Sequence, residues 1–364
     1  MKMPVRILLL LLCAALIVCM PFFLSSPTLL YEAEMEFYDE EEDEEEDDSS
    51  LDFGRLFFSS AVAEEEPETG QFTTDDIEIE DLTRLSIPDA WALPLDFGVP
   101  PLPDPDRFTE DGYEDKSIRV RHEVRETEKY NIHIAYVEVA SATQLRTATA
   151  YGRWDRAMYM DTMAESCNAV IAMNGDLFIE LPEKKKFEYR MTQIVAKKRN
   201  KPNKLKDTLI IDKNGDFHLF LLSDGLVEYR DTHGDEIVNA FMFGPALVVD
   251  GELREPAEDY AYHPKGHEPR SAIGQTGPLN YVMVVIEARV KDEGITHMQL
   301  AELMLELGCV QAYNLDGGNT AEMIIPGPDP AHPLLHVKGR PDADFRTQSD
   351  IIYFATAVPE EDRD

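Results

Sequence analysis

Between residues 32 and 81 the chain carries 23 acidic residues against a single basic one, Arg55, and residues 39–48 are an unbroken acidic run. Such a stretch cannot collapse, because its own charges hold it extended and it has little apolar surface to bury. It lacks the alternating ligands and glycine of a built calcium loop, so it reads as a solvated spacer. The fold is thereby confined to the residues C-terminal to it. Of the formal net charge of −37, −22 falls in this stretch and Lys2 and Arg6 contribute +2, which leaves −17 from residue 82 onward. No basic patch of the kind that neutralises phosphate backbones appears, and nucleic-acid binding is excluded as an expectation. With 364 residues and 43% hydrophobic content the rest is ample for a real core.

Ahead of the spacer, residues 7–24 are an apolar run broken only by Pro21. That is longer than the apolar part of a cleaved signal and just long enough to span a bilayer. Ala61-Val62-Ala63 has the form of a cleavage site but lies too far away. The expectation is an uncleaved single-pass anchor, with Lys2 and Arg6 inside and the C-terminal domain extracellular at the cell membrane. The expected organisation is an anchor or signal at 1–30, an acidic and proline-rich linker at 31–114, one domain at 115–358 and a tail at 359–364. Within the linker, proline-rich residues 88–105 with Trp91 and Phe97 read as an extended strap. Nothing in the chain fixes an oligomeric state.

In the domain, residues 131–140 alternate with period two, a half-buried strand whose His133 falls in the polar set. Residues 155–166 have a helical look with Met158, Met160 and Met163 as core filler. Residues 187–197 read as a strand, and 208–221 as a hairpin turning at Asn214-Gly215. An apolar segment at 239–250 is broken by Gly244-Pro245, strands at 271–275 and 281–288 flank a turn, and 350–356 is the last strand. Leu300, Leu303, Met304 and Leu307 mark a helix that Gly308 ends. The class is α+β (mixed α/β): a single domain on a mixed, mostly antiparallel sheet with two packed helices.

One pattern occurs twice. Helix, cysteine, apolar strand, then Asn and Asp beside glycine describes both Cys167 to Asp176 and Cys309 to Asp316. Two such strands side by side and parallel would bring Asp176 and Asp316 to one edge, where neighbouring carboxylates split into an acid and a base. Cys167 and Cys309 would then approach at the far end, as a disulfide or as two buried thiols.

Asn174-Gly175-Asp176-Leu177-Phe178, Phe243-Gly244-Pro245-Ala246-Leu247, Pro269-Arg270-Ser271-Ala272-Ile273-Gly274, Asn314-Leu315-Asp316-Gly317-Gly318 and Ser349-Asp350-Ile351-Ile352-Tyr353-Phe354 occur in that order along the chain. Together they resemble the phosphodiester glycosidase family, over roughly residues 130–358. The resemblance implies hydrolysis of the bond between a sugar's anomeric carbon and a phosphodiester, with no cofactor and no obligatory metal. It carries catalytic roles to Asp316 and Asp176, and substrate or phosphate contacts to Arg270, Asn174, Gly317 and Gly318. Thr320 stands where the family has serine, and Glu287 and Arg289 stand where it tends to read Asp-Gly-Arg. Glu287 joins the catalytic candidates and Thr320 and Arg289 the substrate-binding ones. Both departures shift the site, and an ångström of displacement can cost ~100-fold in rate. Which carboxylate is base or nucleophile stays open. The implied protein is an exported, membrane-tethered hydrolase of envelope or extracellular glycan phosphodiesters; the alternative is a non-catalytic glycan-binding module on the same fold.

Overall fold

The computed structural model describes residues 85–153, 155–176, 188–194, 206–257, 260, 263–290, 293–329 and 331–363. The acidic run and the apolar run at 7–24 lie outside the described residues. No helix among those described is long and apolar enough to cross a membrane.

Three main sheets and a two-stranded ribbon build the domain among the described residues. The large one has eight strands in the order Gly112–Glu114, Ile118–Glu126, Tyr130–Val139, Asn280–Ala288, Ser271–Gly277, Gln311–Leu315, Ala246–Val249 and Glu252–Leu253. The second runs Leu335–Lys338, Glu322–Ile325, Ile171–Asn174, Asp350–Phe354, Leu145–Thr149. The third runs Phe217–Phe220, Thr208–Asp212, Ile237–Phe241, Tyr189–Arg190, Gln193–Ile194. Every strand pairing among the described residues is antiparallel. The fold is sheet-dominated, with three α-helices among the described residues: α1 (Met160–Ser166), α2 (Leu226–His233) and α3 (His297–Glu306).

Strand alternation explains the layering. One face of each sheet points to a shared core that gathers Val137, Ile273, Tyr313, Met173, Ile352, Ile211 and Phe241. The outer faces are each closed by one helix. Leu300, Ala301 and Met304 of α3 cover Ala272, Val284 and Ala312 of the large sheet. Met160, Met163 and Ala164 of α1 cover Ala172, Ile351 and Tyr353 of the second. Leu226 of α2 meets Ile210 and Ala240 of the third. α3 starts at Thr296, whose hydroxyl accepts from Gln299 N while the Gln299 side chain accepts from Thr296 N, and Gly308 ends it at φ +81°.

Several expectations are corrected here. Ile171–Asn174 and Gln311–Leu315 are not parallel neighbours; they belong to different sheets. Cys167 and Cys309 are consequently apart, both free and buried, one under α1 and the other under α3, and burial pushes both thiols up to about 12. The segment at 155–166 is helical only from Met160, because Met158–Tyr159 pairs with Thr347–Gln348. Within 187–197, the described residues form a tight hairpin turning at Met191 and Thr192, which take φ of 48° and 68°. His133 is buried, since both faces of its strand are covered. Residues 94–100 lie on the domain: the buried Arg146 guanidinium donates to the carbonyls of Pro94, Asp96 and Gly98, and Asn168 donates to that of Pro100.

Candidate active site

The two Asp-bearing strands meet end to end. Asp316 N donates to Gly175 O at 3.4 Å, and Gly175 N donates to Asp350 O at 3.2 Å. A Cβ on Gly175 would sit 2.6 Å from the Asp350 carboxyl, so only glycine lets the three segments close up. Asn174, fully buried, braces the junction: its amide donates to Asp316 O at 2.7 Å and its oxygen accepts from Glu322 N at 3.1 Å. Ser271 Oγ also donates to Asp316 O, at 2.6 Å. Asn174 thus holds the loop carrying Asp316 through both ends, which is a positioning role.

With its backbone fixed, the Asp316 carboxyl is half-buried and accepts from the Thr320 hydroxyl and from Gly317 N–H. Burial pushes it up to about 7, against the pull of the Arg346 charge and those two donors, and with a further push from the negative charge of Asp176. The carboxyl therefore changes protonation state near neutral pH.

Asp176 has no exposed side-chain surface. Its Oδ2 accepts from Met242 N at 2.8 Å and lies 3.9 Å from the Arg190 guanidinium. Arg190 is also fully buried; its Nε donates to Asp350 Oδ2 at 2.5 Å and its plane lies over Phe241 at 4.0 Å. Burial alone would lower its pKa, but the carboxylates of Asp350, Glu188 and Asp176 outweigh that and hold it raised. The sequence pattern foretold none of Arg190, Asp350 or Arg346 as site residues. Asp350 could have been found, since it is the second residue of the last of the five ordered motifs.

The donors expected to grip phosphate are engaged elsewhere. Arg270 points to the α3 side of the large sheet, donating to Ile295 O, His263 O and Gly266 O and to His297 Nε2 at 2.9 Å; burial lowers its pKa to about 10. Ser271, its neighbour, faces the Asp316 side, as alternation along a strand requires. Gly318 N donates to Pro269 O at 2.9 Å, and a Cβ on Gly317 would press within 2.8 Å of that carbonyl.

Glu287 and Arg289 lie in a separate cleft of about 350 Å³ with Asn131, Arg340 and Asp342. Glu287 Oε2 accepts from Asn131 at 2.7 Å and contacts His133 Nε2 at 3.0 Å; the His133 hydrogen bond, seconded by Asn131, holds its pKa below the usual range despite burial. Arg289 donates to Thr127 O at 2.8 Å. The cleft wall joins the Asp316 loop through Gly339, whose N–H donates to Ala321 O and on which a Cβ would press against Gly318 O and Pro269. Among the described residues no three His, Cys, Asp or Glu side chains converge to hold a metal ion.

Comparison with known proteins finds the family that the motifs resemble. A curated relative, the SPbeta prophage-derived uncharacterized protein YomE of Bacillus subtilis (strain 168), is 32% identical over 90 residues, 24% of this chain and 14% of that protein. The match thus spans a small part of that relative's length. Among solved structures, the catalytic domain of zebrafish N-acetylglucosamine-1-phosphodiester alpha-N-acetylglucosaminidase, auto-inhibited by its pro-peptide, superposes with a TM-score of 0.47 at 14% identity, over 66% of this chain and 83% of that one. A hypothetical protein from Synechocystis gives 0.44 at 14% identity, over 65% and 62%. The phosphodiester glycosidase model matches residues 167–355, more than half of the chain, and takes in Asn174, Asp176, Arg270 and Asp316. The chain belongs to the phosphodiester glycosidase family.

Proposed function

We propose that the protein hydrolyses the bond between a sugar's anomeric carbon and a phosphodiester, with Asp316 as general base. The observation that carries this reading is the Asp316 carboxyl, pushed up to about 7 beside the negative charge of Asp176. A base with a pKa near the working pH combines proton affinity with a large deprotonated fraction. Water would attack the anomeric carbon and give its proton to Asp316. The carbon–oxygen bond to phosphorus breaks, and the electron pair leaves with the phosphate as a phosphomonoester. Phosphate is a good leaving group, so no strong general acid is required. Arg346, the cation whose charge acts on Asp316, would offset charge on the departing phosphate. Asp176, buried beside Arg190 and acting on Asp316 as a negative charge, would favour cationic character at that carbon.

The test is release of free sugar from a synthetic sugar-1-phosphodiester by the full-length protein. Turnover should fall ~10²–10⁴-fold in Asp316→Asn. Binding of the diester with no turnover in the wild type would instead favour a glycan-binding module.

The same proposal includes the setting: residues 7–24 as a membrane anchor and 39–48 as a spacer holding the domain off the surface, with an envelope or extracellular glycan as substrate. Extraction of the protein from membranes by carbonate alone would remove the anchor from this picture.

A further inference from the structure

On the far side of the Asp316 loop lies a buried carboxylate that the reaction does not use. Glu322 is 1% exposed, and its two oxygens are separately engaged. Oε1 meets His336 Nε2 at 2.7 Å, and Oε2 accepts from Gln348 Nε2 at 2.6 Å. The same Gln348 nitrogen lies 3.3 Å from Thr320 O. Both neighbours are pure acceptors, so the amide can sit only with its NH2 toward them; its Oε1 is left without a donor. Thr320 closes the loop that Asp316 opens, its N–H donating to Gly317 O at 3.0 Å, and its hydroxyl acts on the Asp316 carboxyl as a donor. The order of contacts is therefore His336, Glu322, Gln348, Thr320, Asp316.

We propose that Glu322, His336 and Gln348 are positioning residues for Asp316, acting through Thr320. This rests on the reading of Asp316 as the catalytic carboxyl. A carboxylate this deep is costly unless paired and hydrogen-bonded, and removing one partner is far worse than keeping both. Because Gln348 serves Glu322 and Thr320 together, Thr320 cannot drift without disturbing the buried pair. Asn174 adds a second tie, accepting from Glu322 N at 3.1 Å. The charged surroundings are few. Asp161, in the first turn of α1, adds negative charge near Glu322. His336 stacks on Phe345 at 4.4 Å, and Lys338 Nζ lies 4.3 Å from the centre of that ring.

The experiment compares Gln348→Leu, Thr320→Val, Thr320→Ser, His336→Ala and His336→Gln in the full-length protein. Two readouts are taken: steady-state kinetics against pH, and the Asp316 carboxyl followed by ¹³C NMR titration. Gln348→Leu and Thr320→Val should lower kcat ~10–100-fold with KM within about threefold, since the loss is in geometry at the reacting carboxyl. The Asp316 midpoint should rise, because a donor to its ionised form is lost. Thr320→Ser and His336→Gln, which keep a hydroxyl and a donor to Glu322, should stay near wild type, while His336→Ala should behave like Gln348→Leu. Thr320→Val leaves the buried pair intact and carries the test where Gln348→Leu does not fold. An unchanged midpoint and kcat in Thr320→Val overturns the proposal even if the wild type is an active hydrolase. A midpoint raised in Thr320→Val, where the wild type itself shows no turnover, would keep the positioning network and remove the hydrolase reading.

Discussion

Asp316 and Glu287 both stand at strand ends of the large sheet, yet their surroundings drive their proton affinities apart. Around Asp316, burial outweighs the donors from Thr320 and Gly317 and the charge of Arg346, and the carboxyl rises to about 7. Around Glu287, hydrogen bonds from His133 and Asn131 outweigh burial, and the carboxyl is held low. Burial penalises charge at both places; the number and kind of partners decides the outcome. One carboxyl is left able to exchange a proton near neutral pH, while the other is a fixed negative charge. Family likeness put both among the catalytic candidates, Asp316 being one already from the repeated strand pattern, and their physical settings separate them.

The largest expected difference is in turnover. Asp316→Asn should cost ~10²–10⁴-fold, whereas Glu287→Gln, which keeps one acceptor for Asn131, should cost less than ~10-fold. Equal losses would erase the distinction between the two carboxyls. A sharper test uses the neighbours of Asp316, whose charges have opposite sign. For a base, kcat/KM rises with pH to a plateau, and the midpoint is the pKa of the free enzyme. Asp176→Asn removes a charge that raises it and should move the rising limb to lower pH. Arg346→Ala removes one that lowers it and should move the limb to higher pH, each shift of the order of one unit. Shifts in the same direction would mean that the limb belongs to another group.

Stability should separate the pair as well. Asp316 has a raised folded pKa, so its proton favours the folded state most fully below the unfolded value of about 3.9, and that contribution is lost as pH rises through about 7. Urea melts should therefore show wild type losing stability relative to Asp316→Asn between about pH 4 and 7, then levelling. Glu287 is the reverse case. Its contribution is present above the unfolded value of about 4.3 and disappears as pH falls through its lower folded value. The gap between wild type and Glu287→Gln should close only in acid. Parallel pH curves for the two variants would contradict the opposed shifts.

What the sequence made legible was local. The hairpin at Asn214-Gly215 and the helix ending at Gly308 are set by residues within a few positions of each other, and both form as expected. The meeting of Asp176 and Asp316 was also foreseen, but through the wrong geometry. A helix, strand and Asp-Gly turn look the same in sequence whether the two strands share a sheet or close two sheets end to end. α2 went unseen because Leu226 alone of its residues is buried, so it carries no apolar stripe. His133 was misplaced because alternation assumes one wet face, and this strand has none. Arg346 comes from a segment with no pattern around it and Arg190 from one that reads only as a strand, and only the folded chain brings their charges to the two aspartates. Arg270 shows the converse: its motif is legible, but strand parity sends its guanidinium to the α3 face.

The smallest effect is expected at Arg289, and it bears on whether the cleft is a separate place. Arg289 gives one hydrogen bond to Thr127 O at 2.8 Å and lies 3.8 Å from Glu126, with side chains 46% and 73% exposed. Pairs of that kind contribute between nothing and about 1 kcal/mol, because water screens them and the long side chains lose entropy. Arg289→Ala should thus shift stability by less than about 1 kcal/mol. If phosphate is met beside Asp316, KM for the diester should also change by less than about threefold. A tenfold rise in KM with kcat unchanged would mean that Arg289 binds ground state and transition state alike. The diester would then reach across Gly339 into the cleft, and the low-pKa carboxylate of Glu287 would border the substrate instead of standing apart from it.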